Sequence, residues 1–332
     1  MNLTRRSRMA ATLVVTLSCL VQSIFLSASA LGDEQLLDGI WESWEQREAR
    51  FKTVEIHWKE RMFRTESGLE KITERSFLLA PDGLARYTRK GPTWTDGRYV
   101  DRTFWSLSNK SVSAQLYAMP VNPRSGDYPI GFLNDSQSMW EDNIRYYFPI
   151  RDTFRPTENI ARNALKMESR STDSDGISCV VVSFGRTQLY LDPVREYLCV
   201  RHVTFSGGHP MTDMSIKYEG VEGGYVPRAW FTRGYLGGNL SVKSTAVVQS
   251  VQINDALDMS IFEPDFPVAT LVSERISGKK PLMYLKRPKG EKRIVKSEER
   301  RTGIHYEKYL NTESGEVLDE KPRQLRFQHN VR

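Results

Sequence analysis

The sequence predicts an α+β fold in which one amphipathic helix precedes an antiparallel β-sheet. Apolar residues recur at helical spacing from Glu34 to Arg50, and they then alternate with polar residues from Val54 to Lys59. Further short alternating runs follow, and turn residues such as Pro81-Asp82-Gly83 separate them, which is typical of an antiparallel meander. With 39% hydrophobic residues, the chain can bury a core of this kind.

Residues 1–30 have the layout of a secretory signal peptide. Three arginines precede an apolar run from Met9 to Leu26, and Ala28-Ser29-Ala30 supplies the small residues that signal peptidase requires. We therefore expect an exported protein, periplasmic or secreted, that is cleaved after Ala30. The alternative is an uncleaved anchor, because the apolar run is nearly long enough to span a bilayer.

Charge divides the rest of the chain into two regions. Residues 31–273 carry 28 basic and 32 acidic residues, whereas residues 274–332 carry 16 and 9. The basic character of the chain therefore lies in its C-terminal part, which argues against a nucleic-acid-binding domain. We predict a folded domain over residues 31–273 and a largely flexible basic extension over residues 274–332. The segment from Lys279 to Arg301 is either a solvated linker or a site of attraction to anionic membranes.

Two helices are expected within an interruption of the meander. Prolines divide residues 119–170, and helical candidates run from Ser136 to Tyr147 and from Thr157 to Met167. A helical lid over the sheet is the simplest place for such a segment.

Two cysteines remain after the predicted cleavage, and we expect no disulfide between them. Cys179 and Cys199 fall in the first and third of three consecutive predicted strands. Such strands lie about 9–10 Å apart, whereas the Cα atoms of bridged cysteines lie within ~7 Å.

No catalytic or metal-binding motif is found in the sequence. HExxH, CxxC, GxSxG and Walker patterns are all absent. We therefore expect no enzymatic activity, no metal and no cofactor. A hydrolase with an unrecognised site is a weaker alternative.

Aromatic and aliphatic residues on the strand faces are the candidate ligand-binding residues. Such a stripe is either plain core or the wall of an apolar pocket on a curved sheet. For the pocket interpretation the candidates are Val54, Ile56, Trp58, Phe77, Tyr99, Trp105 and Tyr190.

Three segments resemble a known superfamily. They are Leu189-Tyr190-Leu191-Asp192-Pro193, Tyr225-Val226-Pro227 and the closing Phe262-Glu263-Pro264-Asp265-Phe266-Pro267. With the helix-then-strand opening, they resemble the LolA/LolB-like superfamily of periplasmic lipoprotein carriers and sigma-E regulatory domains. The resemblance implies a strongly curved antiparallel sheet, an incomplete barrel, that is wrapped on the long N-terminal helix and covered by a helical lid.

The resemblance also implies a function. We expect a non-catalytic protein that binds an acyl chain or a lipidated protein in an apolar cavity. The alternative is an envelope-sensing module that binds a protein partner without lipid.

Overall fold

The structure of the protein is a computed structural model that describes residues 32–95, 98–108, 112–118, 129–135 and 148–296. These residues form a sixteen-stranded sheet and a few helices. The strands are β1 (Val54–Arg64), β2 (Glu70–Leu79), β3 (Ala85–Thr95), β4 (Arg98–Ser108), β5 (Ser113–Ala118), β6 (Ile130–Asn134), β7 (Lys166–Ser174), β8 (Ile177–Phe184), β9 (Thr187–Asp192), β10 (Leu198–Ser206), β11 (His209–Val221), β12 (Gly224–Leu236), β13 (Asn239–Ile253), β14 (Leu271–Arg275), β15 (Leu282–Lys286) and β16 (Lys292–Ile294).

The sheet is open, with β16 and β7 at its two edges. Its spatial order is β16-β15-β14-β6-β5-β4-β3-β2-β1-β13-β12-β11-β10-β9-β8-β7. Only the β6–β14 pair is parallel among the described strands, and the other neighbours are antiparallel. The predicted class, an antiparallel sheet with few helices, is therefore confirmed.

Residues 32–50 form helix α1, which lies on strands β8 to β10. Its apolar stripe, Leu37, Ile40 and Trp44, is buried. These side chains pack on a cluster that includes Val182 and Leu191. Helix α1 thus buries the apolar face that its 3.6-residue periodicity defines.

One side of the sheet, here called the inner face, carries both α1 and most of the core. Leu189 of the α1-contacting cluster is paired with His202, and His202 is paired with Met214 on β11. Directly paired residues point to the same side of a sheet. Because Met214 belongs to the same cluster as Trp58, helix α1 and the core around Trp58 share the inner face.

Two short helices fill one end of the inner face. Helix α2 (Phe148–Phe154) buries Ile150 and Phe154 among the side chains of β1 and β2. Helix α3 (Pro156–Asn159) is tethered to α1, because the backbone N–H of Thr157 donates to Glu48 over 2.7 Å. This part of the chain therefore packs into the core.

The helix predicted over Thr157 to Met167 is too long. Helix α3 ends at Asn159, and Lys166 and Met167 already belong to strand β7. The reason is that β7 pairs with β8 and completes the edge of the sheet. The other candidate, Ser136 to Tyr147, lies outside the described residues.

The outer face of β2 to β6 is covered by the chain that follows β13. Phe262 packs on Leu78, and the Phe266 ring stacks on Trp105 with 5.4 Å between the ring centroids. The closing segment of the resemblance therefore forms a second apolar layer. It explains why β4 buries Phe104 on one face and Trp105 on the other.

The prediction that the folded domain ends at residue 273 is wrong. Strands β15 and β16 continue the sheet beyond β14. Tyr284, Leu285 and Val295 are buried, and Tyr284 packs in the same outer-face cluster as Trp105 and Phe266. Residues 1–31, with the predicted signal peptide, and residues 297–332 lie outside the described residues.

Candidate ligand cavity

A cavity of about 550 Å³ lies on the inner face, beside the core around Trp58. Strands β1, β2, β3, β4, β5, β11, β12 and β13 contribute to its walls. Its apolar lining consists of Met62, Tyr87, Phe104, Tyr117, Met214, Trp230, Leu236 and Val242. Its charged lining consists of Arg64, Lys71, Arg75, Arg89, Glu60 and Glu66.

Strand register brings these residues together from distant parts of the sequence. Arg75 lies opposite Arg89, and Arg89 lies opposite Phe104. On the other side of β1, Trp230 lies opposite Ala246 of β13. Alternation along each strand then points all of these side chains to the same side.

A buried ion pair lies in the wall of the cavity. The guanidinium Nε of Arg75 lies 2.9 Å from Oε2 of Glu60, and both residues are about 4% exposed. Arg75 also donates to the Thr73 hydroxyl and, over 2.8 Å, to the Tyr87 hydroxyl. Burial raises the pKa of Tyr87, so its phenol stays protonated at neutral pH.

Lys71 and Arg89 also line the cavity and are less deeply buried than Arg75. Burial, helped by the charges of Arg89, Arg75 and Arg64, lowers the pKa of Lys71 to about 8. Burial also lowers the pKa of Arg89, whose guanidinium lies 5.6 Å from the centroid of the Phe104 ring. The cavity thus combines an aromatic wall with clustered positive charge.

Four of the predicted binding residues lie together in the core next to the cavity. Val54, Ile56, Trp58 and Phe77 are fully buried in one cluster, and none of them lines the cavity. The Trp58 ring contacts that of Trp230, with 5.2 Å between the centroids. These four side chains therefore lie in the packed part of the inner face, next to the cavity.

Two of the other three predicted binding residues, Trp105 and Tyr190, do not line the cavity. Trp105 lies on the outer face against Phe266, because it alternates with Phe104 along β4. Tyr190 is half-buried beneath the guanidinium of Arg201, on the side opposite Leu189 and Leu191. The side chain of Tyr99 lies outside the described part of the chain.

The sequence-based choice missed the cationic residues of the cavity. Lys71, Thr73 and Arg75 alternate with Ile72 and Glu74, and this pattern looks like an ordinary solvated strand face. The available signal was the continuation of the same alternation into Phe77 and Leu79, which are apolar. A strand face that is charged near one end of the strand and apolar near the other end is typical of a cavity that is polar at one end.

The two cysteines and His202 are all buried away from solvent. Cys179 and Cys199 are free, buried thiols, and burial raises the pKa of Cys179 to about 11. His202 is buried as well, and burial lowers its pKa to about 4.

The described residues hold no group of three or more His, Cys, Asp or Glu side chains that could ligate a metal ion. Among these residues we find no helix with the length and apolar character needed for a membrane span.

Comparisons with known proteins find structural neighbours only. No protein-family model matches the chain, and no curated protein matches it. A DUF1329 family protein from Desulfovibrio piger is similar at a TM-score of 0.45 and 9% identity, over 68% of this chain and 97% of that one. A candidate outer membrane lipoprotein-sorting protein domain from Vibrio parahaemolyticus gives 0.44 and 9%, over 67% and 95%. A LolA superfamily protein from Nitrosomonas europaea gives 0.42 and 13%, over 68% and 97%. One of these neighbours is thus a LolA superfamily protein, and this is the superfamily that the sequence resembles.

Proposed function

We propose that the protein is a non-catalytic, exported carrier that binds an acyl chain, free or attached to a protein, in the inner-face cavity. The observation that carries this proposal is the cavity itself. A volume of about 550 Å³ is within the ~300–1,000 Å³ range of small-molecule sites. Its walls include Phe104, Tyr117 and Trp230, which are side chains suited to a hydrocarbon chain.

The energetics of such binding need no special polar contact. Each methylene group that leaves water contributes about 0.8 kcal/mol. Ten buried methylenes would contribute about 8 kcal/mol before the entropic costs of association. Burial of the chain against an apolar wall is therefore the main favourable contribution to binding.

The test is a titration of the purified protein with a single-chain amphiphile, followed by tryptophan fluorescence. Trp230 lines the cavity and its ring contacts that of Trp58, so saturable binding should change the emission. Native mass spectrometry of the same sample shows whether a lipid co-purifies.

A matched pair of variants on β13 locates the binding site. Ser244→Phe fills the cavity, whereas Thr245→Phe places the same ring on the exposed outer face one residue away. We expect Ser244→Phe to weaken binding by about tenfold or more, which is ~1.4 kcal/mol, and Thr245→Phe to leave it unchanged. If the folded protein binds no amphiphile, or if Ser244→Phe binds as well as wild type, the envelope-sensing alternative is favoured.

A further inference from the structure

The cations of the cavity are not matched by acids. Its described lining includes the four basic residues Arg64, Lys71, Arg75 and Arg89 and the two acidic residues Glu60 and Glu66. Arg75 uses Glu60 in the buried ion pair described above. Among the side chains that the structure describes, neither Lys71 nor Arg89 forms an ion pair.

Like charges that are partly removed from water repel one another and lose hydration energy. Burial and the neighbouring guanidinium groups both disfavour the charged form of Lys71. A bound anion would relieve both effects, because it supplies charge-assisted hydrogen bonds and opposite charge at the same place. The free cavity is therefore arranged for an anionic group.

The cationic and aromatic parts of the cavity are continuous. The Arg89 guanidinium lies over the Phe104 ring, and that ring is 4.8 Å from the Tyr117 ring, measured between centroids. When one group of a ligand contacts the cations, the atoms bonded next to that group therefore lie against the aromatic side chains of the wall. This geometry fits an amphiphile rather than a free ion or a neutral hydrocarbon.

We propose that the cavity selects amphiphiles with an anionic head group, a carboxylate or a phosphate, which Lys71 and Arg89 hold while the apolar chain lies against Phe104, Tyr117 and Trp230. This inference rests on the proposed function, because it concerns the same cavity. It adds a ligand class and two specificity-determining residues.

The test compares ligands of equal chain length at pH 7 and low salt. Dodecyl phosphate, laurate and dodecanol share one chain and differ in the head group, and inorganic phosphate provides the head group without a chain. We expect the wild-type protein to bind the two anionic amphiphiles about tenfold more tightly than dodecanol, with charge-assisted hydrogen bonds as the reason. The relative affinities for phosphate and carboxylate then identify the preferred head group.

Charge-removing variants assign the preference to its residues. Lys71→Met and Arg89→Met should each reduce the preference severalfold without weakening dodecanol binding. Lys59→Met is the matched control, because Lys59 lies on the exposed face of β1 and pairs there with Glu74. If a variant fails to fold, the salt dependence of the wild type replaces it, because screening weakens the binding of dodecyl phosphate and not that of dodecanol.

Each outcome decides between the proposals. Equal wild-type affinity for all three amphiphiles, or an undiminished preference in both variants, overturns the head-group inference and leaves the carrier function standing. Tight binding of inorganic phosphate alone would show an anion site without a chain site. Absence of binding to every ligand by folded protein contradicts the carrier function itself.

Discussion

The ion pair between Arg75 and Glu60 is the most deeply buried one among the described residues, with side-chain exposures of 2% and 5%. Two ions at that depth lose most of their hydration, and mutual attraction compensates only while both are present. The stability of the fold should therefore be sensitive to a substitution of either Arg75 or Glu60 alone.

We predict that Arg75→Met destabilises the protein by about 3–5 kcal/mol, because it leaves the Glu60 carboxylate uncompensated. Urea unfolding measures the change. The double variant Arg75→Met with Glu60→Leu should recover most of the loss. Lys59→Met, which breaks the exposed pair with Glu74, should cost at most about 1 kcal/mol. Similar losses for Arg75→Met and Lys59→Met would contradict this account.

A second residue-scale prediction concerns His202 and pH. Burial lowers the pKa of His202 to about 4, from 6.5 in the unfolded chain. Between pH 6.5 and 4 the unfolded chain binds a proton that the folded chain does not, so stability falls as the pH decreases through this window. The full effect is about 3 kcal/mol.

The variant His202→Leu removes this titration and should flatten the stability curve between pH 6.5 and 4. Urea unfolding at a series of pH values provides the measurement. His57→Gln, at a more exposed histidine on β1, keeps His202 and serves as the control. An equally steep curve for His202→Leu would show that other groups cause the acid sensitivity.

At the scale of elements, the segment after β13 packs very closely on the outer face of the sheet at one position, where the Phe266 ring lies against Gly131. A Cβ atom at Gly131 of β6 would lie 2.6 Å from the Phe266 ring. That ring also stacks on Trp105, so it has little freedom to move. Only glycine lets the ring lie flat on the sheet here.

We therefore predict that Gly131→Ala destabilises the protein by about 1–3 kcal/mol through overpacking. Gly220→Ala is the matched control, because a Cβ atom at this strand glycine meets only an ordinary contact at 3.9 Å. Adding Phe266→Leu to Gly131→Ala should restore part of the loss. Thermal unfolding measures all four proteins, and a harmless Gly131→Ala would refute the close-packing explanation.

At the scale of the whole molecule, the last three strands form one edge of the sheet. A protein that ends at residue 273 lacks β15 and β16 and uncovers Val272, which packs in the same cluster as Tyr284. Losing buried Tyr284 and Leu285 should cost about 4 kcal/mol, since burial of a large apolar side chain contributes ~1.5–3 kcal/mol. A protein ending at residue 296 keeps every described element and is the control.

Circular dichroism and urea unfolding of the two truncated proteins provide the measurement. We expect the longer one to resemble the full chain and the shorter one to be strongly destabilised. Equal stability would mean that β15 and β16 are dispensable for the sheet.

Attraction of the segment from Lys279 to Arg301 to anionic membranes stays a prediction. Lys286, Arg287 and Lys292 of this segment are engaged in ion pairs, while Lys279 and Lys280 are exposed in the turn before β15. Binding to anionic vesicles should therefore weaken by about 1 kcal/mol for each of Lys279→Gln and Lys280→Gln. Cosedimentation at rising ionic strength tests this, and no binding to anionic vesicles at low salt would exclude it.

Local sequence patterns determined much of the strand content. Alternation and turn residues placed the start of β1 at Val54 and indicated the three consecutive strands around Cys179 and Cys199, which are β8, β9 and β10, because a strand with one buried face is encoded by neighbouring residues. Strand β7 was missed because its residues are mostly polar and its place depends on pairing with β8. Strands β15 and β16 were missed because clustered basic residues conceal their few buried positions.

The candidate cavity was decided by tertiary structure alone. Alternation shows which residues of a strand share a face, but it does not show what faces them from another strand. Register places Arg89 beside Arg75 and Phe104, and the tertiary structure brings Trp230 of β12 to the same cavity. By itself, the sequence determined an antiparallel sheet with an apolar inner face. Contacts between residues far apart in the chain decide which part of that face is packed core and which part forms the cavity. No local pattern encodes such contacts.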